Sequence, residues 1–202
     1  MPRKAFLVAA ALGLATAGAA FAQEPTSIPP TVDPRLYEIA EAPSPERIER
    51  DIRMLVSFGT RHTLSDTLSD TRGIGAARRW IKAEFDRISE ACGGCLEVVY
   101  QRGLIRGGEN SRIPEDTWVA NVLAIQRGTT HPNHYVIMSG DIDSRVSDVM
   151  DATSDSPGAN DNASGVAGTL EAARVLSQYT FDKTIVYAQL SGEEQGLFGG
   201  RI

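Results

Sequence analysis

The sequence predicts an α/β protein, with a central mixed, mostly parallel sheet flanked by helices in three layers. Two observations lead there. Short apolar runs of strand length alternate with stretches whose apolar residues recur at helical spacing. Acidic residues also stand just beyond the ends of the last two apolar runs, where an open α/β sheet presents its binding crevice.

The elements follow in order. Met1-Pro2-Arg3-Lys4 is a short basic start, Ala5 to Ala20 is apolar and built of small residues, and Ala20-Phe21-Ala22 fits a cleavage site. Residues 1–22 are therefore expected to be a signal peptide that exports the protein to the periplasm or the extracellular space. The apolar run is shorter than the roughly 20 residues of a membrane span, so no stable membrane insertion is expected after cleavage. Residues 23–43 hold Pro25, Pro29, Pro30, Pro34 and Pro43 and read as a flexible linker. Residues 44–202 form the expected domain. Ser44 can cap a helix that begins at Pro45, and Ile48, Ile52, Leu55 and Val56 share one face of it. A second helix runs from about Gly75, with Ala77, Trp80, Ile81, Phe85 and Ile88 as its buried stripe, and ends at Gly93-Gly94. Strands are expected at Leu96–Tyr100, Trp118–Ile125, Tyr135–Met138 and Thr184–Leu190. The third is continuous and apolar, as in a strand covered on both faces. A helix starting at Asn162 or Ala163 buries Val166, Leu170 and Ala173.

Charge and cysteines narrow the function. Loss of Arg3 and Lys4 with the leader takes the formal charge from −6 to −8, which argues against nucleic acid and anionic lipid as partners. Cys92-Gly93-Gly94-Cys95 is the only thiol pair. In an exported protein a small structural disulfide is expected, with a redox role as the alternative.

Three segments carry the chemistry: Gly140-Asp141-Ile142-Asp143-Ser144, Pro157-Gly158-Ala159-Asn160-Asp161-Asn162-Ala163-Ser164-Gly165, and Ser191-Gly192-Glu193-Glu194-Gln195-Gly196-Leu197. Five gathered carboxylates would repel one another unless protons or cations neutralise them. A metal site with a carboxylate base beside it accounts for them. Alone, the Asp pair could be a solvated loop, Asp161 or Asn162 a helix cap, and the Glu pair a surface accident. A calcium loop lacks its pattern of alternating acids, Gly and distant Glu. His62, His131 and His134 have no ligand-like spacing, and no G-x-S-x-G elbow is present.

With these residues in view, the chain resembles the co-catalytic zinc aminopeptidases of clan MH, the aminopeptidase Y and bacterial leucyl aminopeptidase type, from about Pro45 to Ile202. The resemblance implies a zinc-exopeptidase-like fold and two divalent metal ions. It implies that Asp161 bridges the metals, Glu194 is a metal ligand, Glu193 the general base, and Asp143 an acid that orients the ligand at 141. Asp141 stands where that family has histidine. The substitution hardens the site, so manganese or magnesium becomes tolerable beside zinc. The family also uses an aspartate and a histidine further downstream, so these 202 residues are expected to be the front part of a longer protein and inactive alone. The implied activity is hydrolysis of N-terminal residues from peptides. Relatives of the same type include glutaminyl-peptide cyclases, carboxypeptidases and non-catalytic binding ectodomains, and these stay open as alternatives.

Overall fold

Ser44 accepts a hydrogen bond from the Arg47 amide at 3.2 Å, and the helix it caps, α2 (Pro45–Ser57), begins on a proline as expected. The computed structural model describes residues 33–108 and 112–202. The expected leader and the linker up to residue 32 lie outside the described residues. Within the remaining linker, Arg35–Glu41 form a two-turn helix, α1, that buries no residue. Proline sits just before this helix and after it, positions that interrupt no helical hydrogen bond.

The long helix α3 (Gly73–Ala91) buries Ala77, Ile81, Phe85 and Ile88, and Trp80 packs on Phe58 with ring centroids 6.4 Å apart. Fully burying a side chain such as Phe85 contributes about 2 kcal/mol. The helix closes at Cys92, and Gly93 and Gly94 both take positive φ. Cys92 and Cys95 are disulfide-bonded across that turn.

Strands β1 (Leu96–Ile105), β2 (Thr117–Gln126), β3 (His131–Asp141) and β4 (Lys183–Leu190) make one mixed sheet of order β1-β2-β4-β3. Helix α4 (Ser164–Leu176) joins β3 to β4, and only that pair is parallel; β1–β2 and β2–β4 are antiparallel. Parallel pairing thus appears only where a helix provides the crossover. Val122, Ala124, Ile185 and Tyr187 point to one face, where α2, α3 and α4 cover them with Leu55, Ile81, Phe85, Val166 and Leu170. On the opposite face the described residues supply only the terminal segment, where Gly199 accepts a hydrogen bond from Asn121 and Ile202 one from Gln101.

One strand departs from expectation. β3 was expected to be covered on both faces, but residues 131–139 are exposed, Ile137 at 65%. Among the described residues β3 lies at the edge of the sheet with β4 as its sole partner, and only Gly140 is buried beneath α4. A Cβ at Gly140 would stand 2.5 Å from the Gly165 carbonyl carbon, so glycine is what lets the helix start rest on the strand end.

Candidate active site

Where the parallel pair β3–β4 ends, three chain segments meet. The ladder continues one step beyond β3, with the Ile142 amide donating to the Leu190 carbonyl at 2.7 Å, and the alternation then turns Asp143 inward. Asp143 is 1% exposed, and every contact it makes fixes another part of the site. Its Oδ1 accepts from the Glu193 amide at 3.2 Å; its Oδ2 accepts from the Glu194 amide at 3.0 Å and the Thr63 hydroxyl at 2.8 Å. Asp143 thus anchors the backbone of the glutamate pair, beside the role toward residue 141 that the resemblance implies. An aspartate at 141 has no ring N–H to offer it.

The Asp161 turn is tied to the same place. Asn162 accepts a hydrogen bond from the Asp141 amide through its Oδ1 at 3.2 Å, and α4 has no side-chain cap, so Asp161 and Asn162 are not there to cap a helix. Gly158 adopts φ +45°, and a Cβ there would stand 2.5 Å from the Asp161 carbonyl oxygen and 2.9 Å from a guanidinium nitrogen of Arg61. Arg61 is fully buried and donates to the carbonyls of Ile142 at 2.8 Å, Pro157 at 2.8 Å and Gly158 at 3.0 Å. One guanidinium thus clamps the Asp141–Asp143 segment to the Asp161 turn. Burial lowers its pKa to about 10, which leaves it charged at neutral pH, and the charge of Asp143 acts against that shift.

The electrostatics separate the acids. Burial first, then the charges of Asp143, Asp161 and Glu194, push the Asp141 carboxyl above its ordinary range. Glu193 is raised in the same way, by burial and then by Glu194, Asp141, Asp143 and Asp161. Glu194 has a cation of its own, since Arg145 Nε meets Glu194 Oε2 at 2.5 Å. Asp161 is exposed at the mouth.

The donor set fits a hard divalent cation in kind, being all carboxylate and short of positive charge. In number it is incomplete: no three His, Cys, Asp or Glu side chains among the described residues converge as a ready cage. The structure thus joins Asp143 to Glu193 and Glu194 and brings Asp141 and Asp161 within electrostatic range, without closing the expected set of Asp141, Asp161 and Glu194 around one point. The histidines stay outside. His62 is fully buried, accepts from the Leu64 amide on Nδ1 and donates from Nε2 to the Val149 carbonyl at 3.0 Å, a structural role. His131 and His134 sit at the far end of β3, stacked on one another.

Arg61, Thr63 and Arg145 escaped the sequence reading as site residues, and Asn162 entered it only as a possible helix cap or helix start. Asn162 lies inside the Asp161 segment and Arg145 directly after the Gly140–Ser144 segment, whereas Arg61 and Thr63 lie near none of the three.

Residues 121–202 match peptidase family M28. The match begins in β2 and takes in all three acidic segments. Over 170 residues the chain is 47% identical to a protein of Leptosphaeria maculans named "Probable zinc metalloprotease", an alignment that takes in 84% of this chain and 39% of that protein. A protein of the same name from Pyrenophora tritici-repentis is 45% identical over 172 residues, 85% of this chain and 35% of its own length. The chain thus spans under two-fifths of these relatives. Among solved structures, the aminopeptidase from Aneurinibacillus sp. strain AM-1 superposes with a TM-score of 0.59 at 16% identity, covering 82% of this chain and 66% of that one. Fimbriiglobus ruber glutaminyl cyclase gives 0.57 at 18% identity, over 75% of this chain and 46% of that one. At those identities the likeness is one of fold alone.

Proposed function

We propose that the protein is an exported, metal-dependent exopeptidase that removes N-terminal residues from peptides. The observation that carries this reading is the grip of Asp143 on the Glu193 and Glu194 amides. It sets two adjacent carboxylates at the end of a parallel strand pair, one paired to Arg145 and the other free to handle a proton. The M28 match and the zinc metalloproteases named above support hydrolysis of peptides and zinc as the metal.

Asp141, Asp161 and Glu194 would hold the metal, two ions by the resemblance, with manganese or magnesium tolerated because of Asp141. When bound, divalent metal supplies an acidified water and a polarised carbonyl. Glu193 takes the proton of the attacking water and returns it to the leaving amine. Its raised pKa keeps it basic enough to accept that proton. The surplus of carboxylates attracts the ammonium group of a free N-terminus. The leader-like start and the Cys92–Cys95 disulfide support export, and no helix among the described residues is long and apolar enough to cross a membrane.

The test compares an unblocked peptide with its N-acetylated form, with zinc, manganese or a chelator present. Glu193→Gln is expected to abolish release of the first residue, a loss of at least about 10²-fold, while metal content by atomic emission stays near wild type. Chelator-insensitive cleavage, or a Glu193→Gln variant that keeps its activity, sinks the reading. Ammonia released from an N-terminal glutamine without cleavage points to a cyclase instead.

A further inference from the structure

Beside the acidic strand ends, the helix-covered face of the sheet opens into a cavity of about 490 Å³ lined by Arg78, Arg79, Arg102, Tyr100 and Trp118. The pairing of Arg102 with Ala120 and Leu104 with Trp118, together with strand alternation, puts these side chains on one face, and the first turns of α3 bring in the other two arginines. Three guanidinium groups line one small space; Arg79 is spent on partners at the rim, while Arg78 and Arg102 are not used up.

Arg78 is 7% exposed. Its Nε donates to Ser191 Oγ at 3.3 Å, while its Nη2 is buried with no hydrogen-bond partner among the described residues. An unmet donor on a buried cation is costly, on the order of 1–3 kcal/mol or more. Burial lowers its pKa only to about 10, so it keeps its charge; Asp143 is the acid acting on it, and Arg102 the opposing cation. Arg102 is exposed and lies over the Tyr100 ring, 5.3 Å from its centroid, with no described carboxylate paired to it. Arg79 is held at the rim by the Thr67 carbonyl at 2.9 Å and meets the exposed Asp70 at 3.4 Å. Trp118 presents a large ring that is 61% exposed.

Guanidinium groups match a carboxylate in shape and charge, and an exposed indole offers a flat apolar surface. We propose that this cavity binds a carboxylate carried on a flat apolar body, with Arg78 and Arg102 taking the carboxylate and Trp118 taking the body. Such a group reaches the cavity either as a free aromatic acid or as the terminal carboxylate of a peptide ending in an aromatic residue. The site stands independently of the peptidase reading, although Ser191 links it to the strand end that precedes Glu193.

The test is titration of the full chain with benzoate at pH 7 and low salt, followed by calorimetry and tryptophan fluorescence. Benzoate is expected to bind and to change the fluorescence, and neutral benzamide to bind at least about tenfold more weakly. Arg102→Gln, at an exposed position of β1, should weaken benzoate by about tenfold with the melting temperature unchanged. Trp118→Phe should remove the fluorescence change while Trp80 still emits. N-acetylphenylalanine binding tighter than benzoate identifies a peptide terminus as the source; the reverse order identifies a free acid, and either supports the site. Equal binding of benzamide, an unaltered affinity in Arg102→Gln, a fluorescence change that survives Trp118→Phe, or no binding of either acid overturns it.

Discussion

Two clusters of acids sit in this protein, and they are built on opposite plans. In the helix layer, Asp51, Glu84 and Glu171 surround Arg174, which reaches them at 2.6, 3.1 and 3.3 Å. Arg47 donates to Glu171 at 2.9 Å and Arg50 meets Asp51 at 3.1 Å, so every acid has a cation. At the end of β3 and β4, only Glu194 has such a partner, in Arg145. No described lysine or arginine pairs with Asp141, Asp161 or Glu193, and two of these three carboxyls are pushed upward. One cluster satisfies its charges within the fold; the other leaves Asp141, Asp161 and Glu193 without a described cation, which is what the proposed metal site would require. Perturbed carboxyls in a crevice mark a working site, whereas a closed ion-pair network marks architecture.

The contrast breaks most visibly at Arg174. Arg174→Met leaves the fully buried Asp51 and the nearly buried Glu171 short of a cation, and the cost is expected to be about 3–5 kcal/mol in urea unfolding. Metal binding at the other cluster should be unaffected. A loss below about 1 kcal/mol would mean that Arg47 and Arg50 suffice to hold the helix layer.

Asp143 comes next, because it serves both roles. Asp143→Asn turns one acceptor into a donor facing the Glu193 or Glu194 amide or the Thr63 hydroxyl. The expected loss is about 1–3 kcal/mol, accompanied by lower metal affinity, since both glutamates lose their anchor. Stability lost with metal affinity intact would reduce Asp143 to a structural acid.

These two clusters were unequally legible in the sequence. The acids of the sheet end stood out because each follows an apolar run within a glycine-rich segment, a pattern local to the chain. Their supports did not: Arg61 lies 81 residues from Ile142, whose carbonyl it binds, and Thr63 lies 80 from Asp143. Asp51 sits among the apolar positions of α2, and only the packing of α4, 123 residues away, supplies Arg174 to it. Apart from α1, which falls in the stretch read as linker, the helices and strands were readable from periodicity, with β1 running five residues past its expected end. The sheet order was not, because β4 inserts between β2 and β3, and strand direction depends on that insertion. Continuous apolarity in β3 suggested cover on both faces, but cover is supplied by neighbours, and the described residues supply one.

Acid titration sharpens the comparison through opposite signs. Although burial works against it, the hydrogen bonds from Arg47 and the Ser44 amide hold Glu171 below its ordinary value of 4.5. That carboxyl binds protons more weakly folded than unfolded, so its stabilisation is present above pH 4.5 and is lost as pH falls below it. Asp141 and Glu193, raised by burial and by like charges, bind protons more tightly when folded. They weaken the fold as pH climbs through their ordinary values of 3.8 and 4.5. Melting temperatures from pH 3 to 6 should fall toward acid in the metal-free protein. Glu171→Gln should flatten that fall, and an unchanged slope would show that the helix-layer pairs do not govern it.

The smallest effect is the most diagnostic, because its sign differs from that of an ordinary buried-charge mutation. Asp141→Asn removes one charge from a crowd that lacks cations, so the metal-free protein should gain stability, by about 0.5–1 kcal/mol. The same change at Asp51, in the paired cluster, should lose stability. Asp141→His tests what the carboxylate is for: imidazole is a softer ligand, so the ratio of manganese- to zinc-supported activity should fall. Imidazole can also donate a ring N–H, but Asp143 already accepts three hydrogen bonds from Thr63, Glu193 and Glu194. The gain in zinc preference should therefore stay modest unless the Glu193–Glu194 turn shifts to release one oxygen. A Asp141→His variant with an unchanged metal ratio would take residue 141 out of contact with the metal, and the stabilisation by Asp141→Asn would then report crowding alone.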